Sequence, residues 1–465
     1  MFSIIGIILS LLMMMYFAYK GVSILLLAPI LASFAVLLSG DVSQLFGVYT
    51  QIFMSGLGGY VVKYFPLFLL GAVFGKLMED SNSAQAIAHS LVKKLNGNNA
   101  LLAVVLTCSI LTYGGVSLFV VGFAVFPIAA AIFRTANIPK RLIPGAISLG
   151  SLSFTMTALP GTPAIQNMIP MPFFGTNAFA APGLGLIGSV IMFVAGYAWL
   201  SYRVGKARVD SEGYENENIP AEKNSHLHEE MNLPALWKAL LPIFLVIACN
   251  YTFGKLIPLM NTEYLSEVRY GQTKLHHVLG LWSIIGALVI SCLSIIVLNW
   301  SRWKNLKDTL NKGTIGALLP IFNTASEVGY GAVIASLAAF SVISHFLLNI
   351  SASNVLISES IVISMLVGAT GSASGGLSIA LSMMGEHFLQ LADASGISPE
   401  LLHRVAAMAS GGLDTLPHNG AVISLLAICG LTHKRSYLDI FMVTVLAGLL
   451  GLVAIIILGS LFGSF

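Results

Sequence analysis

The chain has 465 residues, 56% of them hydrophobic and only 9% charged, with a formal net charge of +3 and a mean hydropathy of +0.87. An average soluble domain carries about 25% charged residues, so a water-soluble enzyme or binding module is excluded and the lipid bilayer is the expected solvent. So small a charge on so long a chain gives no electrostatic footprint for nucleic acid.

Apolar blocks recur along the chain at Ile4–Phe17, Val22–Leu38, Leu184–Leu200, Leu236–Ala248, Val278–Leu298 and Leu438–Leu461. Each approaches or exceeds the roughly 20 residues that cross a hydrocarbon layer as helix. The opening stretch lacks the basic residues that precede a secretory signal's apolar core, and it reads as a spanning helix. Lys63 falls inside a further apolar segment, with Gly58 and Gly59 nearby, and His345 inside another; snorkelling or gating is open for the lysine. Between Lys93–Lys94 and the basic group Arg134, Lys140 and Arg141 lies Leu101–Phe133, about one and a half spans long. Basic clusters mark cytoplasmic loops, so both ends face one side. That predicts a re-entrant hairpin with its tip at Thr112–Gly115.

From Leu142 to about Met168 the pattern reads as a membrane helix broken by Pro160, Gly161 and Pro163, since proline removes an amide donor and clashes with the preceding turn. After Leu184–Leu200 comes a long polar segment, Tyr202–Pro234, taken as a cytoplasmic linker. Beyond the basic group Arg302, Lys304, Lys307 and Lys312, the stretch "NTASEVGYG" (Asn323–Gly331) places Glu327 at hydrocarbon depth, with the helix open at Gly329 and Gly331. A second hairpin is expected over about Ile361–Phe388, with its tip at Ala369–Gly376. A second broken helix follows over about Leu402–Cys429, carrying Pro417.

Sliding one half over the other sets Pro160 on Pro417, Ser153 on Ser410, Gly114 on Gly371 and Ser117 on Ser374 without a gap. The basic clusters then run equivalent helices in opposite directions. The expected fold is an all-α polytopic membrane protein of two inverted-topology repeats, each with a re-entrant hairpin and a broken transmembrane helix. Residues 1–200 form the first repeat, 201–235 the linker and 236–465 the second repeat.

Broken helices and hairpin tips offer unpaired amides and dipole ends to a small anion. Candidate substrate ligands are Tyr113, Gly114, Gly115 and Ser117 on one tip, and Thr370, Gly371, Ser372 and Ser374 on the other. Thr157, Thr162, Gln166, Asn167, His418 and Asn419 complete the set; tight packing of small residues is the alternative for each tip position. Glu327, Asp414 and His418 are candidates for proton coupling, with helix capping the alternative for Asp414. With no arginine expected at mid-depth, a guanidinium clamp is not anticipated, which favours a singly charged substrate. Four separate cysteines, no nucleotide loop and no zinc-protease motif leave metal and cofactor unexpected, and "HLHEE" (His226–Glu230) reads as a solvated face.

Two motifs, "TALPGTPAIQN" (Thr157–Asn167) and "HRVAAMASGGLDTLPHNGAV" (His403–Val422), resemble those of the gluconate permease family, a branch of the ion transporter superfamily. The resemblance implies a proton-coupled symporter for a small hydroxy or sugar acid, multi-pass in the bacterial cytoplasmic (inner) membrane and homodimeric. "LPGTPAIQN" stands where gluconate carriers have a "PPHPGP"-like stretch, so the chain is more similar to the short hydroxyacid branch, exemplified by 3-hydroxybutyrate permeases. Gluconate symport, sodium coupling and an anion channel are the alternatives; an intramembrane enzyme has only Ser410 or Ser374 with His418 to offer.

Cysteines placed at Lys94 and Arg134 are expected to react with an impermeant thiol reagent from the same side of the membrane, the side on which the linker is labelled. Labelling from opposite sides would remove the first hairpin and the repeat with it.

Overall fold

The structure, a computed structural model, describes residues 2–20, 22–94, 99–214, 233–340, 342, 354–417 and 419–465. His418, His345 and His226–Glu230 lie outside the described residues, as does most of the polar linker. The described elements are helical throughout: α1 (Phe2–Tyr19), α2 (Ile24–Leu38), α3 (Met54–Asp80), α4 (Ser83–Lys94), α5 (Ala100–Tyr113), α6 (Leu118–Thr135), α7 (Ile143–Ser151) and α8 (Pro182–Val209). Then follow α9 (Leu236–Leu256), α10 (Leu275–Leu298), α11 (Leu306–Ser336), α12 (Val355–Thr370), α13 (Ala373–Ser395), α14 (Pro399–Gly412), α15 (Gly420–Cys429), α16 (His433–Phe441) and α17 (Ala447–Phe462). Among the described residues five stretches are long and apolar enough to cross a membrane: Val42–Asp80, Pro182–Val209, Leu236–Leu259, Leu275–Leu298 and His433–Phe462. The protein is an all-α polytopic membrane protein.

The lipid solvent explains the distribution of side chains. Leu186, Val190 and Val194 of α8 and Leu450, Val453 and Ile457 of α17 are exposed, as helices bathed in hydrocarbon allow. Helix contacts are made instead by small residues, which let backbones approach. Met192 of α8 packs on Gly448 and Gly451, so closely that a methyl group on Gly451 would fall 2.7 Å from its Cγ.

Two sets of bonds define two ends of this bundle. At one, Asp439 of α16 accepts from Arg203 Nε at 2.9 Å, Trp199 Nε1 at 3.0 Å and Arg141 Nη1 at 3.3 Å. Arg141 also grips Glu212 with a two-pronged fork, 2.6 Å on each prong, and Arg134 lies 5.0 Å from the centre of the Tyr214 ring. At the other end Gly183 N–H donates to the Phe465 carbonyl at 2.7 Å. There Asn354 Nδ2 meets Ser460 Oγ and Ser398 Oγ meets Ser464 Oγ, both at 2.7 Å. Helix α8 therefore runs antiparallel to the α16–α17 stretch. The start of α12 and the residue before α14 sit together at the end away from Asp439.

In the register that sets Pro160 on Pro417, Tyr113 at the end of α5 falls on Thr370 at the end of α12. Asp80, closing α3, falls on Leu337, the residue after α11. Met192 falls on Leu449, between the two glycines it touches.

Three local expectations are corrected. Helix α8 continues through residues 201 to 209, so the polar segment begins as helix rather than as linker. Hairpin arms α12 and α13 extend beyond Ile361–Phe388 on both sides. Glu327 stands in an unbroken helix: Gly329 and Gly331 do not open α11 but admit neighbours, a methyl group on Gly329 falling 2.8 Å from the Phe53 carbonyl oxygen and one on Gly331 2.9 Å from Ile379 Cγ2.

Asp439 is 1% exposed at its side chain, and removing one partner of a buried ion pair costs about 3–5 kcal/mol, so Asp439→Asn is expected to lower the melting temperature of the purified protein. Glu212 supplies a pH signature. The Arg141 guanidinium, bonded to its carboxylate, holds it below the usual carboxylate range, against a smaller opposing effect of burial. A depressed carboxylate contributes stability above its unfolded value, lost as pH falls through the folded one. Glu212→Gln should therefore flatten the acid limb of the melting-temperature profile; an unchanged limb would remove the pair from the account.

Candidate substrate and coupling site

The second tip is built by a glycine turn. Helix α12 ends at Thr370, Gly371 takes φ +66°, a left-handed conformation that glycine adopts at little cost, and Ser372 opens α13 by accepting the Gly375 N–H at 3.1 Å. A helix start leaves amides without intrahelical partners. One of them, Ala373 N–H, donates to Asp414 Oδ1 at 2.7 Å. Asp414 belongs to the short 3-10 turn Leu413–Thr415 that ends the first half of the broken helix, so its carboxylate joins the break to the tip.

Asn419 completes this joint. Its Nδ2 donates to the Gly371 carbonyl at 2.8 Å and to Asp414 Oδ1 at 3.0 Å. Its Oδ1 accepts from Ala421 and Val422 N–H, capping α15. All four bonding positions of that side chain are thereby assigned to backbone or Asp414.

Glu327 comes to the same place from α11. It is 1% exposed and lies flat against Gly375, where any Cβ would overlap its carboxylate. The Ser372 hydroxyl and the Asp414 carboxylate are its polar neighbours, and Oε2 has no hydrogen-bond partner. One turn earlier, Thr324 Oγ1 meets Ser374 Oγ at 3.2 Å. The Tyr60 hydroxyl faces Ser378 beside Glu327, yet neither oxygen reaches hydrogen-bond geometry. Thr370 Oγ1 bonds back to the Val367 and Ser372 carbonyls. The outcome is a buried polar cluster with two carboxyl groups and, among the described residues, two unpartnered hydroxyls, those of Tyr60 and Ser378.

The first break is held differently. Residues 158 to 161 make a turn and 162 to 164 carry no regular structure, followed by the short helical turns Ile165–Met168 and Met171–Phe174. The carbonyls released by this break need donors, and Arg404, fully buried, supplies them. Its Nη1 reaches Thr157 O at 3.3 Å and Ala158 O at 3.2 Å, while Nε and Nη2 reach Ala180 O at 3.1 and 2.7 Å. Asn167 takes the Thr162 and Ala178 carbonyls on Nδ2, and its Oδ1 faces Arg404 and His403. His403 in turn meets Thr176.

Tyr113 OH donates to the Pro160 carbonyl at 2.7 Å, Gly115 backs onto Pro163 and Gly114 onto Ile243. Thr157 and Thr162 are fully buried, with Thr157 packed on Gly411 and Thr162 Oγ1 accepting from Ala164 N–H. Gln166 is buried and Ser117 is exposed. The short turns after the break pack against α13, so both halves meet there, although no hydrogen bond joins the two tips among the described residues.

The expectation of no arginine at mid-depth passed over Arg404, which is fully buried at the first break. It stands next to His403, inside the C-terminal motif, and the sequence signal was available: a proline break must release carbonyls, and a cation one turn into an apolar segment is the donor that answers them. Lys63, by contrast, lies over the Phe173 ring at 4.9 Å. Among the described residues no group of three His, Cys, Asp or Glu side chains converges as a metal site, and all four cysteines are free.

Helices interrupted at buried, polar, cross-braced positions within a lipid-exposed bundle are an arrangement that membrane transporters use. The chain belongs to the GntP family of permeases, which it matches over residues 1–462, and it is a multi-pass protein of the bacterial inner membrane. It is 45% identical over 454 residues to a Bacillus subtilis (strain 168) protein described as uncharacterized transporter YxjC, covering 95% of this chain and 96% of that one. It is 35% identical over 141 residues to the gluconate permease of the same organism, 30% of this chain and 28% of the relative. It is 33% identical over 162 residues to the high-affinity gluconate transporter of Escherichia coli (strain K12), 34% of each. The fold resembles that of the Alcanivorax borkumensis YdaH transporter (TM-score 0.55, 15% identity, 89% and 88% of the two chains). It also resembles that of Neisseria gonorrhoeae MtrF (TM-score 0.57, 12% identity, 91% and 85%).

Two substitutions separate brace from cluster. Arg404→Met leaves the Thr157, Ala158 and Ala180 carbonyls without their donor, at about 1–3 kcal/mol for each buried unsatisfied group, and is expected to lower the melting temperature sharply; a wild-type melt would mean the brace is dispensable. Gly375→Ala should displace Glu327 and abolish uptake in cells that still express the protein, and undiminished uptake would show that the Glu327–Gly375 contact is not needed.

Proposed function

We propose that the protein is a secondary transporter that couples inward proton movement to uptake of a small hydroxy-monocarboxylate such as 3-hydroxybutyrate. The observation that carries this reading is the buried joint of Glu327, Asp414, Asn419 and the α13 amides. Two carboxyl groups in one apolar enclosure repel when both are ionised, so the pair suits uptake and release of a proton. The tip hydroxyls of Thr370, Ser372 and Ser374 and those of Tyr60 and Ser378 suit a substrate with hydroxyl and carboxylate oxygens. Tyr113, Gly114, Gly115, Ser117, Thr157, Thr162, Gln166 and Asn167 face it from the first half in this reading, with His418 beside Asn419. Arg404 is committed to backbone carbonyls, which leaves no guanidinium free there for a second substrate charge.

Alternating access follows from two inverted repeats, each with a re-entrant hairpin and a broken helix. The coincidence of helix ends in the Pro160-on-Pro417 register supports this, as does the antiparallel contact of α8 with α16–α17. Arm α5 has 14 residues and α12 has 16, about 21 and 24 Å of helix, short of a roughly 30 Å hydrocarbon layer. Asn354 and Ser398, at either end of the second hairpin, bond to neighbouring serines at one end of the bundle, and Arg134, closing the first, lies at the other. A homodimer is part of the same reading. The names of the two partial relatives favour gluconate as the second reading of the substrate.

Reconstituted into liposomes, the protein is expected to accumulate labelled 3-hydroxybutyrate under an inward acid gradient, in preference to gluconate, and to ignore citrate. Uptake that requires sodium at fixed pH and survives a protonophore would refute proton coupling. Asp414→Asn keeps the size and removes the charge, so gradient-driven accumulation should nearly stop while counterflow exchange persists. Wild-type accumulation by that variant would leave Asp414 as a cap and move the coupling role to Glu327.

A further inference from the structure

Glu359 lies on α12, outside the polar cluster. Its residue is 0% exposed, and among the described residues neither Oε1 nor Oε2 has a hydrogen-bond partner. The side chains a turn away on the same helix, Val355, Leu356, Val362 and Ile363, are all buried and apolar. In the register that pairs the two halves, Glu359 falls on Leu102 of α5, so a hydrocarbon side chain serves at the matching position and packing alone does not call for a carboxyl group. An isolated carboxylate in such surroundings is among the most costly groups a protein can bury.

The elements packed against α12 are α1, α13, α14 and the turn Leu413–Thr415. Their titratable groups are otherwise occupied. Tyr16 of α1, Glu386, His387 and Asp393 of α13 and Glu400 of α14 are exposed. His403 and Arg404 are bonded to the first break, and Asp414 to Ala373 and Asn419. None of them forms an ion pair or hydrogen bond with Glu359. The residue stands five positions inside Asn354, about 7.5 Å along the helix, and eleven before Thr370, about 16 Å. It therefore lies nearer the open end of the hairpin than the tip.

We propose that Glu359 is a second proton-binding site of the transporter, separate from the Glu327–Asp414 pair and situated toward the open end of the hairpin. One carboxylate oxygen takes one proton, held as the neutral acid while the hairpin is packed as here and released when α12 moves and water or a polar group reaches it. The inference rests on the proton-coupled reading above for its role in transport, but not for the presence of the proton.

The test uses Glu359→Gln, which keeps shape and neutrality, and Glu359→Asp, which restores an acid. Infrared spectra of the purified full-length protein at neutral pH should show a carboxylic-acid C=O band that is lost in Glu359→Gln and returns in Glu359→Asp. In proteoliposomes, Glu359→Gln should still exchange labelled substrate, while the number of protons moved per substrate falls relative to wild type and is recovered in Glu359→Asp. An acid band whose intensity is unchanged in Glu359→Gln, or a proton-to-substrate ratio unchanged by that substitution, overturns the proposal. Because the band is read without transport, a wild-type protein found to be sodium-driven would strike the coupling reading separately from the protonation of Glu359.

Discussion

A carbonyl without a donor is tolerable in water and scarcely tolerable in hydrocarbon, and this asymmetry organises the molecule. The interruptions around Pro160 and Pro417 create such carbonyls, and distant side chains come to them. Arg404 crosses from the second half of the sequence to bind the carbonyls just ahead of Pro160, and Asn167 serves the one just behind. At the second break the Thr415 carbonyl accepts from Tyr437 and the Pro417 carbonyl faces His433. The bundle is thereby tied together at the points where its helices are weakest. Apolar packing between helices contributes shape, since lipid is as good a solvent for leucine as another helix is.

The two breaks share position and proline but not chemistry. At the first, the bracing charge is positive and directed at backbone oxygen. At the second, it is negative and directed at backbone nitrogen, with a second carboxyl group against Gly375. The cluster with unpartnered hydroxyls lies beside the second. On the proposed reading of two repeats, a few differing side chains make one break a brace and leave polar groups at the other.

Much of this was legible in the residues. Apolar length marked four of the five described spans, while Val42–Asp80 was not among the blocks and Ile4–Phe17 and Val22–Leu38 fall on shorter helices; the turns at Gly114 and Gly371 stood out because a glycine beside hydroxyls inside an apolar run has few other uses. Glu327 and Asp414 stood out as carboxyl groups at depth, though nothing in their spacing indicated that they approach across Gly375, a contact between helices remote in sequence. Glycines in α11 misled, because a glycine that opens a helix and one that admits a neighbour look alike along the chain. Arg404 and Glu359 were missed for opposite reasons. The arginine sits near a helix start, where basic residues are commonplace, and its role depends on carbonyls more than two hundred positions away. The glutamate lies in a run of ordinary apolar residues, where only the three-dimensional enclosure shows that nothing answers it.

The unlike bracing of the breaks bears on the resting orientation of the carrier. If two inverted halves were chemically identical, exchanging their conformations would turn an inward-facing molecule into an outward-facing one of equal energy, and an unloaded population would divide evenly between the two. Here one half is stiffened by a buried guanidinium and the other carries ionisable acids whose charge responds to the medium. On the proposed proton-coupled, inverted-repeat reading the two orientations are therefore unequal in energy, by an amount that varies with acidity. Such a carrier has a preferred face when empty and binds its cargo with different affinity from the two compartments, a kinetic rectification that arises from a handful of side chains on an otherwise symmetric frame.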